Sequence, residues 1–88
     1  RWRFEWDEEK AAANLKKHGV GFDEATTVFG DPFSLTFMTD HSTSEQRYID
    51  IGSSDKGRVL VVVYTERGVN IRIISSRRAT PLERELYE

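Results

Sequence analysis

Residues 58–78 read RVLVVVYTERGVNIRIISSRR, and this stretch decides the fold. Val59 to Tyr64 is a near-continuous apolar run rich in β-branched residues. Such a run marks a strand buried on both faces, at the centre of a sheet. Glu66-Arg67-Gly68 turns the chain, and VNIRIIS returns as the partner strand. Taking Arg67-Gly68 as a two-residue loop predicts the pairing. Tyr64 then faces Ile71, Val62 faces Ile73 and Leu60 faces Ser75 on one side, while Val63 faces Arg72 and Val61 faces Ile74 on the other. A longer turn shifts this register by one. The returning strand also gathers Arg67, Arg72, Arg77 and Arg78, with no acid between Arg67 and Thr80.

Working outward, RWRFEW at residues 1–6 alternates apolar Trp2, Phe4 and Trp6 with charged neighbours, the period of a half-buried strand. Asp7 is placed to cap a helix through EEKAAANLKKHG, with Glu8 and Glu9 in its first turn and Gly19 as its C-terminal stop. Ala11, Leu15 and His18 form one stripe of that helix, and Lys10, Asn14 and Lys17 form the next. Asp23 is expected to cap a second, short helix burying Phe22, Ala25, Val28 and Phe29, which Gly30-Asp31-Pro32 ends. FSLTFM at 33–38 and RYIDIG at 47–52 read as strands, the second with Arg47, Ile49 and Ile51 on one side. Thr80, Pro81 and Glu83 form a capping box with proline at the first helical position, so a last helix starts there. The order is β-α-α-β-β-β-β-α. It predicts an α+β domain spanning residues 1–88, with a mainly antiparallel sheet of four to five strands and the helices on one face.

Composition removes several function classes. No cysteine is present, so disulfides and thiolate metal sites are excluded. His18 and His41 stand in no metal-ligand spacing, and no metal or other cofactor is expected. No apolar run approaches a membrane span, and no secretory signal is visible, so the expected compartment is the cytoplasm. Thirteen Lys and Arg against fifteen Asp and Glu give a net charge of −2, so any anion site is a local patch. Residues 1–40 hold five basic against eight acidic side chains, and residues 41–88 hold eight against seven.

The chemistry on offer is cationic. No Ser-His-Asp or Cys-His arrangement and no glycine-rich phosphate loop can be assembled. RNA cleavage without a metal needs three things: a group to activate the 2′-hydroxyl, cations for the phosphorane-like transition state, and an acid for the leaving oxygen. Lys17 or His18, the arginines and Tyr87 are of the right types. Each also has a plainer reading. Arginines on a half-exposed strand commonly pair with acids, here Glu45, Asp50, Glu66, Glu83 or Glu85. His18 can simply end its helix on a carbonyl. Tyr87, beside Leu82 and Leu86, can be an edge aromatic.

The stretch FEWDEEKAAANLKKHGVGFDEATTVFGDP resembles the opening of BrnT-type toxins: a W-D, a Lys three residues on, then N-x-x-K-H-G-V, F-x-E-A and D-P. The second half is similar too. Arg47 precedes an apolar-Gly strand end, VVVYTERG is followed by IRIISSRRA, and Glu83 and Tyr87 come after. The usual S-A-R reads Ser75-Ser76-Arg77 here, a mild departure. The resemblance implies a RelE-like fold and a bacterial type II toxin that cuts RNA. It also implies a BrnA-like antitoxin, which wraps the toxin and represses the operon through its own DNA-binding domain. It places Lys17, His18, Arg67, Arg77 and Tyr87 as candidate catalytic residues, with Arg72, Lys10 and Arg47 as candidate substrate-binding residues. The competing class is a non-catalytic module whose basic sheet face captures an acidic segment or RNA backbone.

Overall fold

The computed structural model describes residues 3–39 and 45–88; His41, Trp2 and Arg1 lie outside them. Its strands are β1 (Arg3–Glu5), β2 (Leu35–Met38), β3 (Arg47–Ser53), β4 (Val59–Arg67) and β5 (Asn70–Arg78). Its helices are α1 (Glu8–His18), α2 (Phe22–Thr27), followed by one tight turn at Val28–Gly30, and α3 (Pro81–Tyr87). The five strands form one sheet in the order β1-β5-β4-β3-β2. Four strands pair antiparallel, and β1 joins β5 in parallel, so the sheet is mixed. The parallel pair follows from the route: α1, α2, β2, β3 and β4 all intervene between β1 and β5, ample chain for a crossover.

The central hairpin forms, but not in the expected register. The loop is Gly68-Val69, with Gly68 at φ +59°, and Arg67 pairs with Asn70. Glycine takes the first loop position because that position needs positive φ, which a β-carbon resists. Every pair moves accordingly. Tyr64 lies opposite Ile73 rather than Ile71, and Thr65 rather than Val63 lies opposite Arg72. Ile74 is then bulged out, because Val63 pairs with Ser75 and Tyr64 with Ile73.

One sheet face carries the core. Leu60, Val62 and Tyr64 of β4 and Ile71 and Ile73 of β5 pack against Val20, Phe22, Ala25 and Val28. Phe4, Trp6, Phe29 and Tyr48 close its margin. Asp7 caps α1 by accepting from the Glu9 and Lys10 N–H groups, and Gly19 ends it at φ +70°. The second helix starts two residues earlier than expected. Gly21, not Asp23, is at its N-cap, and Asp23 lies in its first turn. On α1 the stripe turned inward is that of Asn14, and Leu15 stays 55% exposed. The reason is polar. Past Arg72, β5 has no strand beside it, and the Asn14 carboxamide pairs with that open edge. Its amide donates to the Ser76 carbonyl at 2.7 Å and its oxygen accepts from the Ser76 N–H at 3.1 Å.

The helices do not share one face. Arg77 lies opposite Val61, whose neighbours Leu60 and Val62 belong to the core, so Arg77 projects from the other side. Glu83 of α3 is held there by Arg77. The helix α3 therefore lies across the end of the second face, while α1 and α2 cover the first. Among the described residues, no helix is long and apolar enough to cross a membrane.

Candidate functional site

Three adjacent rows cross the middle of the second face. One row is Arg47, Thr65, Arg72 and Glu5; the next is Phe37, Ile49, Val63 and Ser75; the third is Leu35, Ile51, Val61 and Arg77. Neighbouring strands stand ~4.8 Å apart, so the Arg47 and Arg72 backbones are ~10 Å apart. The rows of Arg72 and Arg77 are four β4 residues apart, ~13 Å along the strand. The apolar third row is covered, with Val61 3% and Ile51 4% exposed. The middle row is open, with Phe37 at 44%. The face thus carries two largely apolar rows with arginines at both ends.

Most of these arginines already have acidic partners. Arg72 donates from Nη1 to Glu5 Oε2 at 2.9 Å, and Asn70 donates to the other Glu5 oxygen at 2.8 Å. Those two bonds, Asn70 first, hold the Glu5 carboxyl below the usual carboxylate range. Arg67, half exposed, reaches Glu45 at 3.2 Å and lies 4.0 Å from Glu5. Arg77 forms a two-pronged pair with Glu83, at 2.8 and 2.9 Å. That pair brings the Glu83 carboxyl down to about 2, with the N-cap N–H of Thr80 adding to it. Arg47 and Arg78 are exposed and have no ion-pair partner among the described residues.

A second cationic group lies on α1. Lys10, Asn14, Lys17 and His18, with Ala13, line a groove of about 270 Å³ whose other wall is Ile74 and Ser75 of β5. The spacing of Lys10, Asn14 and Lys17 along one stripe sets this up, and the Asn14 clamp on Ser76 fixes the helix against the edge. Ser75 belongs both to this groove and to the middle row of the open face. Ser75, beside the bulge at Ile74, therefore lies between the two cationic groups. Bulges re-aim side chains and recur beside active sites.

Tyr87 stands apart. Its hydroxyl donates to Asp31 Oδ2 at 2.6 Å, and that bond raises its pKa. Asp31 also accepts from the Ser53 and Phe33 N–H groups. Burial pushes the Asp31 carboxyl up, but these donors outweigh it and hold it low. Tyr87 and Asp31 together tie the end of α3 to the corner after α2.

The structure therefore brings Lys10, Lys17 and His18 together, and Arg47 and Arg72 into one row, with Arg67 beside them through Glu5. Arg77 stands at the far end of the same face, and Tyr87 lies outside both groups. The family model for "Ribonuclease toxin, BrnT, of type II toxin-antitoxin system" matches residues 6–83. The chain belongs to the BrnT family. Its fold is shared with the 1.1 Å crystal structure of the Brucella abortus ribonuclease toxin BrnT, at a TM-score of 0.73. The two are 24% identical over 91% of this chain and 99% of that one. No curated protein matches. Within this BrnT-family fold, sequence reasoning missed Glu5, Asn14 and Asp31. Glu5 read only as the outer side of a strand, and Asp31 only as part of a helix stop. Glu83 was legible as a cap and as one acid near the arginines, but its pairing with Arg77 was not.

Proposed function

We propose that this BrnT-family chain is a metal-independent endoribonuclease, a toxin that cuts RNA in the bacterial cytoplasm until a protein antitoxin covers it. The observation that carries the reading is that Ser75, beside the Ile74 bulge, borders both cationic groups. An RNA backbone laid along the open face contacts Arg72 at one end and Arg77 at the other. Arginine suits both contacts, with fixed charge and paired donors for phosphate oxygens. Arg47 and Arg67 extend that grip, and Lys10 extends it over the edge. Lys17 and His18, across the bulge from Ser75, supply the proton-transfer groups for the 2′-hydroxyl and the leaving oxygen. Cations fixed in advance around the phosphate stabilise charge as it develops. Tyr87 enters through α3, which it ties down, because its proton is already committed to Asp31. Membership in a type II toxin-antitoxin family supports a protein antitoxin as partner.

Expression in bacteria without an antitoxin tests this. The wild-type chain is expected to arrest growth and fragment cellular RNA. Arg77→Ala and Lys17→Ala with His18→Ala, folded by circular dichroism, are expected to lose about a hundredfold or more in cleavage. Intact RNA at full wild-type expression would overturn the enzyme. Salt-dependent RNA retention without cleavage products would replace it with a binding module.

A further inference from the structure

The Arg77 guanidinium leaves one of its edges unused. Its Nη1 and Nη2 donate to the two Glu83 oxygens at 2.8 and 2.9 Å, and Nη1 also donates to the Arg78 carbonyl at 3.3 Å. An arginine has five N–H donors in a fixed plane. These three bonds leave the Nε–H and the second Nη2–H, which lie side by side and form a second fork. No acceptor among the described residues meets that fork, and the side chain is 41% exposed. Arg58 shows the opposite use. It spends Nε and Nη2 on buried Glu24 and a further Nη2 bond on the Gly19 carbonyl, so its useful edge is consumed inside the protein. Arg72 follows the Arg77 pattern, giving only Nη1 to Glu5 and keeping Nε and Nη2.

We infer that Glu83 is a positioning residue for Arg77, fixing the guanidinium by its end so that the Nε–H/Nη2–H fork is presented to a phosphate of the RNA. The inference rests on the ribonuclease reading for its substrate. A bidentate grip on phosphate needs that plane set within a narrow range of angles. A free arginine side chain must give up its rotamer freedom at each binding event, whereas Arg77 has already done so in the folded protein. The tie does not draw the side chains of α3 itself into a core. No residue of α3 is buried, and Leu82 and Leu86 are 69% and 59% exposed. What α3 delivers to the face is the Glu83 carboxylate, one oxygen of which also accepts from the Thr80 backbone N–H, a bond that does not depend on the Thr80 side chain.

The test compares Glu83→Gln, Glu83→Asp and Thr80→Ala with wild type. Glutamine keeps an oxygen for the Thr80 N–H but loses the charge and the second acceptor. Asparate at this position keeps the charge on a shorter stem. Glu83→Gln is expected to lower kcat for RNA cleavage about tenfold with KM changed much less, and Glu83→Asp to recover part of that loss. Thr80→Ala, which weakens the cap alone, is expected to lower Tm and leave kcat within about twofold. A Glu83→Gln variant with wild-type kcat, or with a loss no larger than that of Thr80→Ala, overturns the inference. Faster cleavage in Glu83→Gln also overturns it, because Glu83 would then be a competitor of phosphate. The Arg77 Nε–H resonance in heteronuclear NMR gives a readout that does not need cleavage. Titration with a short 2′-O-methyl RNA, whose blocked 2′-oxygen cannot attack, is expected to shift that resonance in the wild type and to leave it weakly affected in Glu83→Gln. If wild type fails to cleave but the shift is seen, the ribonuclease reading falls and the positioning stands. If saturating oligonucleotide leaves the wild-type resonance unmoved, the positioning falls.

Discussion

The Ser76 hydroxyl is fully buried beneath α1, and its Oγ meets no hydrogen-bond partner. Its backbone N–H and carbonyl are both taken by Asn14. The side chain therefore bears the cost of losing water and gains nothing in exchange, a penalty of ~1–3 kcal/mol for a neutral polar group. The S-A-R pattern that this region resembles has alanine here, which fits the packing. Ser76→Ala is expected to stabilise the chain by about 1 kcal/mol, a Tm rise of roughly 4–8 °C for a domain of this size. Thermal unfolding followed by circular dichroism measures it, and a lower Tm would refute the account. Asn14 makes the complementary point. Its place on α1 was readable as a stripe with Lys10 and Lys17, but nothing local announces that it clamps a strand 62 residues away. Residue-level chemistry was legible within one helical turn, as for Asp7 and Thr80, and hidden beyond it, as for the Arg77–Glu83 pair and the Asn14 clamp.

The elements divide along the same line. The caps of α1 and α3, the glycine stop at Gly19 and the apolar β4 are all local signals, and each stands where the sequence puts it. The hairpin moved because a single φ at Gly68 decides the register, and Arg-Gly does not say which of its residues enters the loop. The side on which α3 docks follows from Arg77 and Asp31, contacts that periodicity does not encode. Those contacts make α3 acid-sensitive. The folded Glu83 carboxyl titrates at about 2, below its ordinary 4.5. Lowered in the fold, it contributes stability that is fully present above about 4.5 and is lost as pH falls through about 2. The partly exposed pair is screened, so the effect is modest. In thermal unfolding from neutral pH downwards, the Tm gap between wild type and Glu83→Gln is expected to hold steady at first, then close between about 4.5 and about 2. A gap that widens over that range would mean that Glu83 does not carry the tie.

For the whole molecule, the proposed ribonuclease activity asks an acidic protein to hold a polyanion. Net charge is −2 and acids outnumber bases in the first forty residues, so the anion site has to be local. The fold meets this by sorting. Asp7, Glu8, Glu9 and Asp23 gather at the N-terminal ends of α1 and α2, where the helix dipole favours them. Arg47 of β3 and Arg72 and Arg77 of β5 go to the opposite sheet face, and Lys10 and Lys17 to the edge beside it. Within that face, Glu5 and Glu83 offset much of the charge of Arg72 and Arg77, so those two contacts act through geometry more than through net charge. Binding that depends on such a patch releases few counterions. For single strands the slope of log K against log salt is ~−0.7 per phosphate neutralised. Arg47, Lys10 and Lys17 as the uncompensated cations then give a slope of about −2, against about −9 if all thirteen basic residues took part. Fluorescence anisotropy with a labelled 2′-O-methyl RNA over a salt series measures it. Arg47→Ala is expected to flatten the slope by about 0.7. A wild-type slope steeper than about −5 would show that RNA is held by much more of the surface than this one face.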